Sequence, residues 1–140
     1  MGIDSRPVYK FSYDFSTQGG GVGIIPLAGL DIPMYSIVYG GVLDIITGFT
    51  SGGSPYLSLK INKHNDLLSQ LIYSNAIWAN TGLKAIIPVM TAATAVKLTN
   101  VNDRPCLRID GGDVDGNTVT AGKFNLFLII IPPSSPPQDL

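Results

Sequence analysis

The stretch Gly122-Lys123-Phe124-Asn125-Leu126-Phe127-Leu128-Ile129-Ile130-Ile131 decides the fold. Thr120-Ala121-Gly122 closes a polar, Gly-rich loop in front of it, and Pro132-Pro133 stops it. An apolar, aromatic and β-branched run bounded in this way is a strand signature. Alternation sends Phe124, Leu126, Leu128 and Ile130 to one face and Asn125, Phe127, Ile129 and Ile131 to the other. A strand with one wet face alternates apolar with polar. This one is apolar on both faces over most of its length, which predicts cover on both sides. One cover is the core of its own domain. The other is expected to be a second subunit. The stretch therefore reads as the central, last strand of an all-β sandwich that oligomerises.

Composition points the same way. The chain has 140 residues, enough for one domain with a real core. It is 45% hydrophobic and 14% charged, against roughly 25% charged in ordinary soluble domains. So few charges leave apolar surface uncovered, and such surface usually marks contacts. The net charge is −1, and the sequence has no basic stripe or Arg-rich tail, so nucleic acid is not an expected partner. No apolar run reaches the ~18 residues of a membrane span, and the N-terminus lacks the pattern of a signal peptide.

Working outward, residues 1–8 read as an extended arm ahead of Pro7. Tyr9-Lys10-Phe11-Ser12-Tyr13-Asp14-Phe15-Ser16 alternates aromatic with polar and predicts the first strand over 9–16. The row Tyr9, Phe11, Tyr13, Phe15 is expected to be a core face or a subunit contact. The glycines of 17–23 suggest a turn or a tight backbone approach, not a phosphate loop, since no Lys-Ser/Thr follows. Ile24-Ile25-Pro26-Leu27 predicts an edge strand. Tyr35 to Phe49 reads as a long strand bulged or bent at Gly40-Gly41, with the possibility that it serves two sheets. Residues 50–55 and 110–120 read as hairpin-type loops. Leu57, Leu59 and Ile61 are expected inward. Asn65 as cap, Asp66 in a first turn, and Leu67, Leu68, Leu71 and Ile72 at helical spacing predict one short helix. Residues 73–84 read mostly as loop. Ile86 to Val89, Val96 to Thr99 and Cys106 to Asp110 read as further strand segments. The expected total is about eight antiparallel strands in a jelly-roll-like sandwich with one short helix. The organisation is an arm and first strand in 1–23, a sandwich over 24–131 that the first strand joins, and a proline-rich tail over 132–140.

Tests for chemistry come back empty. Asp113, Asp115 and Asn117 begin like a calcium loop, but Thr118 stands where the sharp-turn Gly belongs and Phe124 where the bidentate Glu belongs. All ten acids are Asp, and no pair is arranged for glycosidic chemistry. His64 is the only histidine and no Gly-x-Ser-x-Gly elbow accompanies it. Cys106, the only cysteine, reads as a small apolar residue. No enzyme activity, cofactor or metal is expected.

Several stretches in order resemble a family of small phage structural proteins, found beside major capsid proteins as head decoration (cement) or head-fibre proteins. They are Ile32-Pro33-Met34-Tyr35-Ser36-Ile37-Val38 with Val42-Leu43-Asp44-Ile45; Phe49-Thr50-Ser51-Gly52-Gly53-Ser54 before Leu57-Ser58-Leu59-Lys60-Ile61; and Asn65-Asp66-Leu67-Leu68. Ile87-Pro88-Val89 follows, then Thr91-Ala92-Ala93-Thr94-Ala95-Val96-Lys97, Leu107-Arg108-Ile109 and Val119-Thr120-Ala121-Gly122-Lys123. The resemblance covers residues 24–131. It implies a β-sandwich, often a jelly roll and typically a trimer, that sits on a capsid surface and stabilises it, with the major capsid protein and its own copies as partners. A tail, neck or head-fibre component with receptor or glycan binding, using a loop aromatic such as Trp78, is the alternative. Arg6, Tyr9, Phe11, Pro132 and Pro133 are the expected partner contacts.

Overall fold

The computed structural model describes residues 8–33, 36–61, 65–86, 104–111 and 118–131. Phe124, Leu126, Leu128 and Ile130 have no exposed surface, and they lie on β8 (Val119–Ile131). This strand sits between β1 (Val8–Asp14) and β3 (Ile37–Ser51), antiparallel to both. β6 (Gly82–Ile86) completes a sheet of order β1-β8-β3-β6. The second sheet is β2-β7-β4-β5, built from β2 (Gly23–Pro26), β7 (Cys106–Asp110), β4 (Tyr56–Ile61) and β5 (Asn65–Ile72).

The pairings define the topology. First strand pairs with last, second with seventh, third with sixth, and fourth with fifth, all antiparallel. That is one long folded ribbon. The β3–β8 and β4–β7 pairings roll it into two packed sheets. The result is a jelly roll, an all-β antiparallel sandwich, as the strand spacing led one to expect.

The core lies between the sheets. Phe11 and Tyr13 from β1 meet Leu43, Ile45 and Phe49 from β3, and Leu57, Leu59, Ile61, Leu107 and Ile109 close it from the other side. One end is aromatic. Tyr13, Phe49, Trp78 and Phe124 have ring centroids 5.3 to 6.1 Å apart, with Trp78 edge-on to Phe49. Phe49 lies over Gly122, where a Cβ would come within 2.6 Å of the ring. Gly48 lets the carbonyl of Ala79 approach β3 where any side chain would collide.

Several expectations change. The helix over 65–72 is strand β5. Its partner β4 uses six residues where β5 uses eight, with register shifts between Leu57 and Leu59 and between Leu59 and Lys60. The extra residues are bulges. They stretch a period of two into the spacing that reads as helical. The strand expected over 9–16 ends at Asp14, because the Asp14 carboxylate accepts from the Ser16 N–H at 2.9 Å and starts a single turn, α1 (Phe15–Gln18). Gly19, at φ 77°, ends that turn. The expected loop over 73–84 holds α2 (Ala76–Ala79) and β6; Asn75 caps α2 through the Ile77 N–H at 3.0 Å. β3 is indeed bulged between Val38 and Gly40, but it serves one sheet only. The loop expected over 50–55 is not a hairpin, because the β3 and β4 it joins lie in different sheets; β7 and β8 also lie in different sheets, and of the loop expected over 110–120 residues 112–117 lie outside the described residues. The strand expected over 96–99 lies outside the described residues, as do His64 and the Asp113–Asn117 motif.

Tyr13 gives a test of this packing. Its hydroxyl donates to the Gly19 carbonyl at 2.5 Å. Burial first, and the Asp14 charge second, push its pKa from 10.0 up to about 12. The native state thus holds the phenol proton more tightly than the unfolded chain. Its contribution is complete below pH 10 and is lost as pH rises towards 12, about 2–3 kcal/mol in all. Tyr13→Phe should cost about 1 kcal/mol at pH 8 through the lost hydrogen bond. Above pH 10 the variant should lose stability less steeply, so that the two urea-unfolding curves converge; parallel curves would contradict this.

Candidate interaction surface

The two outer faces of the sandwich differ. On the β8 sheet, cross-strand rows can be read from the register. One is Lys10–Phe127–Val42–Ala85, and the next is Val8–Ile129–Gly40. Ile131 pairs with Ile37 beyond them. Val8 is 60% exposed, Val42 36% and Leu83 71%, while Phe127 and Ile129 are half-buried. No further layer of the described residues lies on this face. The polar rows, Ser12–Asn125–Asp44, which ends at Leu83 on β6, and Asp14–Lys123–Thr47, stand towards the opposite end of the same face. The apolar end is the end at which the chain enters β1 and leaves β8.

The other sheet presents a polar centre. Its rows are Ser58–Arg108 and Tyr56–Asp110, with Lys60 opposite Cys106. Arg108 approaches Asp110 at 3.4 Å, and Gln70 donates to Asp110 at 3.3 Å. Ile24 and Tyr56 are also exposed on this face, but they stand beside Arg108 and Asp110, so its centre stays polar. The face over β8 is the one that gains from being covered.

Apart from Lys10, which stands in the apolar row at the β1 edge, charges rim the patch. Lys123 lies 3.9 Å from Asp14 in an exposed pair that adds little stability. Hydrogen bonds from Ser16, with Lys123 as a minor cause, hold the Asp14 carboxyl below its usual range. At the β6 edge, Lys84 donates to the Asn80 carbonyl. Burial pushes its ammonium pKa down, and Asp44 partly offsets that.

The residues expected to touch partners fare differently. Arg6, Pro132 and Pro133 lie outside the described residues. Phe11 has no exposed surface and Tyr9 is half-buried, stacked on Phe11 at 6.3 Å. The aromatic row of β1 is core, as one of its two readings held, and Phe11 offers a partner nothing in this fold. The surface of β1 belongs instead to Val8 and Lys10. The inward pull of four aromatics assigns those two residues outward by alternation, and that was the signal available. Trp78, the aromatic invoked for glycan binding, is fully buried in the aromatic end of the core. Cys106 is half-buried on β7. Among the described residues, no group of three His, Cys, Asp or Glu side chains could hold a metal ion.

No protein-family model matches the chain. No curated protein matches it in sequence. Among solved structures, it is similar to a chain of the cyanophage Pam1 capsid asymmetric unit, with a TM-score of 0.53 and 15% identity. The match spans 91% of this chain and 84% of that one. The likeness is one of fold.

Burial of the apolar face in an assembly predicts a directional result. Val42→Lys should weaken self-association roughly 100-fold in sedimentation velocity, about 2.7 kcal/mol. Arg108→Ala, on the opposite face, should leave it within about threefold. Equal effects from the two would remove this face from the interface.

Proposed function

We propose that this chain is a structural protein of a phage virion, a cement protein that binds the surface of an assembled capsid as a homotrimer and stabilises it. The carrying observation is the contrast between the two outer faces, in a jelly roll whose fold resembles a chain of a phage capsid over nine-tenths of its length. The role is structural, not catalytic.

The physics of such a role is additive. One weak contact per subunit is enough when three subunits engage together, because the second and third contacts form at high effective concentration. A closed trimer also matches the local threefold positions of a shell. The apolar end of the β8 face serves copy-to-copy contact. The chain enters β1 at Val8 and leaves β8 at Ile131 at that end. Arg6, Pro132 and Pro133 are the residues assigned to contact with the major capsid protein or with neighbouring copies. The burial of Trp78 leaves a glycan-binding fibre without the aromatic assigned to it.

A quantitative protein gel of purified virions checks this reading. A copy number equal to that of the major capsid protein, or a simple fraction of it, is expected. A few dozen copies per particle would move the chain to the tail, neck or vertex fibres, and absence from the virion would overturn the reading altogether.

A further inference from the structure

β1 is an edge strand, and among the described residues its outer edge is only half covered. In an antiparallel edge strand, alternate residues turn their backbone groups away from the neighbour. Ser12 is one of these. Its N–H donates to the Ala28 carbonyl at 3.0 Å, and its carbonyl accepts from the Ala28 N–H at 2.9 Å. Asp14 is the next, and its N–H donates to Gln18 Oε1 at 3.0 Å. Lys10 and Val8 have the same parity. Among the described residues, neither has a backbone partner on this edge.

The loop after β2 explains where cover stops. It runs against β1 through Ala28, and Gly29 lies so close to the Phe11 ring and the Lys10 carbonyl that a Cβ would come within 2.6 Å of the one and 2.9 Å of the other, so the open part of the edge is the Lys10 N–H and Val8. The chain then turns out, leaving Leu30 78% exposed. Between Leu30 and the start of β1 opens a groove of about 450 Å³ lined by Val8, Tyr9, Lys10 and Leu30. It combines unpaired strand backbone, apolar walls and one cation. Those are the requirements for an added strand with an apolar side chain and an acid.

We propose that this groove receives residues 2–6 of a second copy of the chain, paired as an extra strand on the edge of β1. The proposal rests on the self-association in the reading above. The segment is Gly2-Ile3-Asp4-Ser5-Arg6. Ile3 supplies the apolar side chain for Leu30 and Tyr9, and Asp4, on the other face of the added strand, the charge for Lys10. The arm of the same copy is a poor occupant. To fold back on the strand it precedes, it would reverse at Ser5-Arg6-Pro7-Val8, with Pro7 third in the turn and Arg6 second. Proline is disfavoured at that position, and tight hairpins want Gly or Asn at the second. Exchange between copies avoids the turn, and a head-to-tail exchange that closes makes a ring of three.

Disulfide trapping tests this in the full chain, with Cys106→Ser as background. One variant carries Ile3→Cys and a second carries Leu30→Cys; the two are mixed and oxidised. A mixed disulfide adduct should form at least fivefold above that between Ile3→Cys and a control bearing Ser69→Cys. Adduct at the control level would overturn the proposal. So would an intramolecular bond in the Ile3→Cys/Leu30→Cys double variant at high dilution. Sedimentation of the same samples separates the two ideas: a trimer without the adduct sinks the arm exchange and leaves self-association standing, whereas a monomer without it sinks both.

Discussion

The whole structure depends on β8 having two apolar faces and one core to put them in. The inward face is satisfied completely: Phe124, Leu126, Leu128 and Ile130 are closed off between the sheets. The outward face sits at the middle of its own sheet, flanked by β1 and β3, and among the described residues no layer lies over Phe127 and Ile129. Burial of an apolar side chain contributes about 1.5–3 kcal/mol. A second layer over this face is therefore worth several such side chains, less the cost of association. The remaining features follow from that asymmetry. Charges gather towards one end of the face and apolar residues towards the other, with Lys10 and Leu83 as the exceptions, and the opposite sheet carries Arg108, Asp110 and Lys60.

The rolled ribbon also explains why the first and last strands matter together. β1 and β8 pair along their length, from Val8 with Ile129 to Asp14 with Lys123. The start of β1 and the end of β8 are thereby brought to one end of one sheet. A trimer with exchanged arms would use this arrangement twice, once through the β8 face and once through the β1 edge. The same edge without an occupant would be a liability, since unpaired strand groups invite uncontrolled pairing.

Much of the fold was legible because side-chain alternation is strong where a strand has one clear inward face. β1, β4, β7 and β8 could be read from their apolar residues alone, and Gly40-Gly41 marked a true bulge in β3. Topology was legible only as a class, since alternation does not say which strands pair. The failure at β5 has a physical cause: two bulges shift Leu67, Leu68, Leu71 and Ile72 into a helix-like spacing, and Asn65 mimics a cap. Trp78 was misread because a single capped turn, α2, is too short to leave a period in the sequence. The exposed apolar patch was half legible. The two apolar faces of β8 announced it, but the aromatics of β1 drew attention inward, away from Val8 and Lys10. An interface lacks the fixed spacing of a metal or catalytic motif, so it is visible chiefly through what the fold leaves uncovered.

The central claim is that the outer face of the β8 sheet is covered in the working assembly while the opposite face stays in water. Hydroxyl-radical footprinting of the chain on intact virions, against the isolated chain diluted until monomeric, measures this side chain by side chain. The account predicts that Phe127, Val42 and Leu83 lose most of their labelling on the particle while Tyr56 and Ile24 keep theirs. Protection of Tyr56 and Ile24 with Phe127, Val42 and Leu83 still labelled would contradict it.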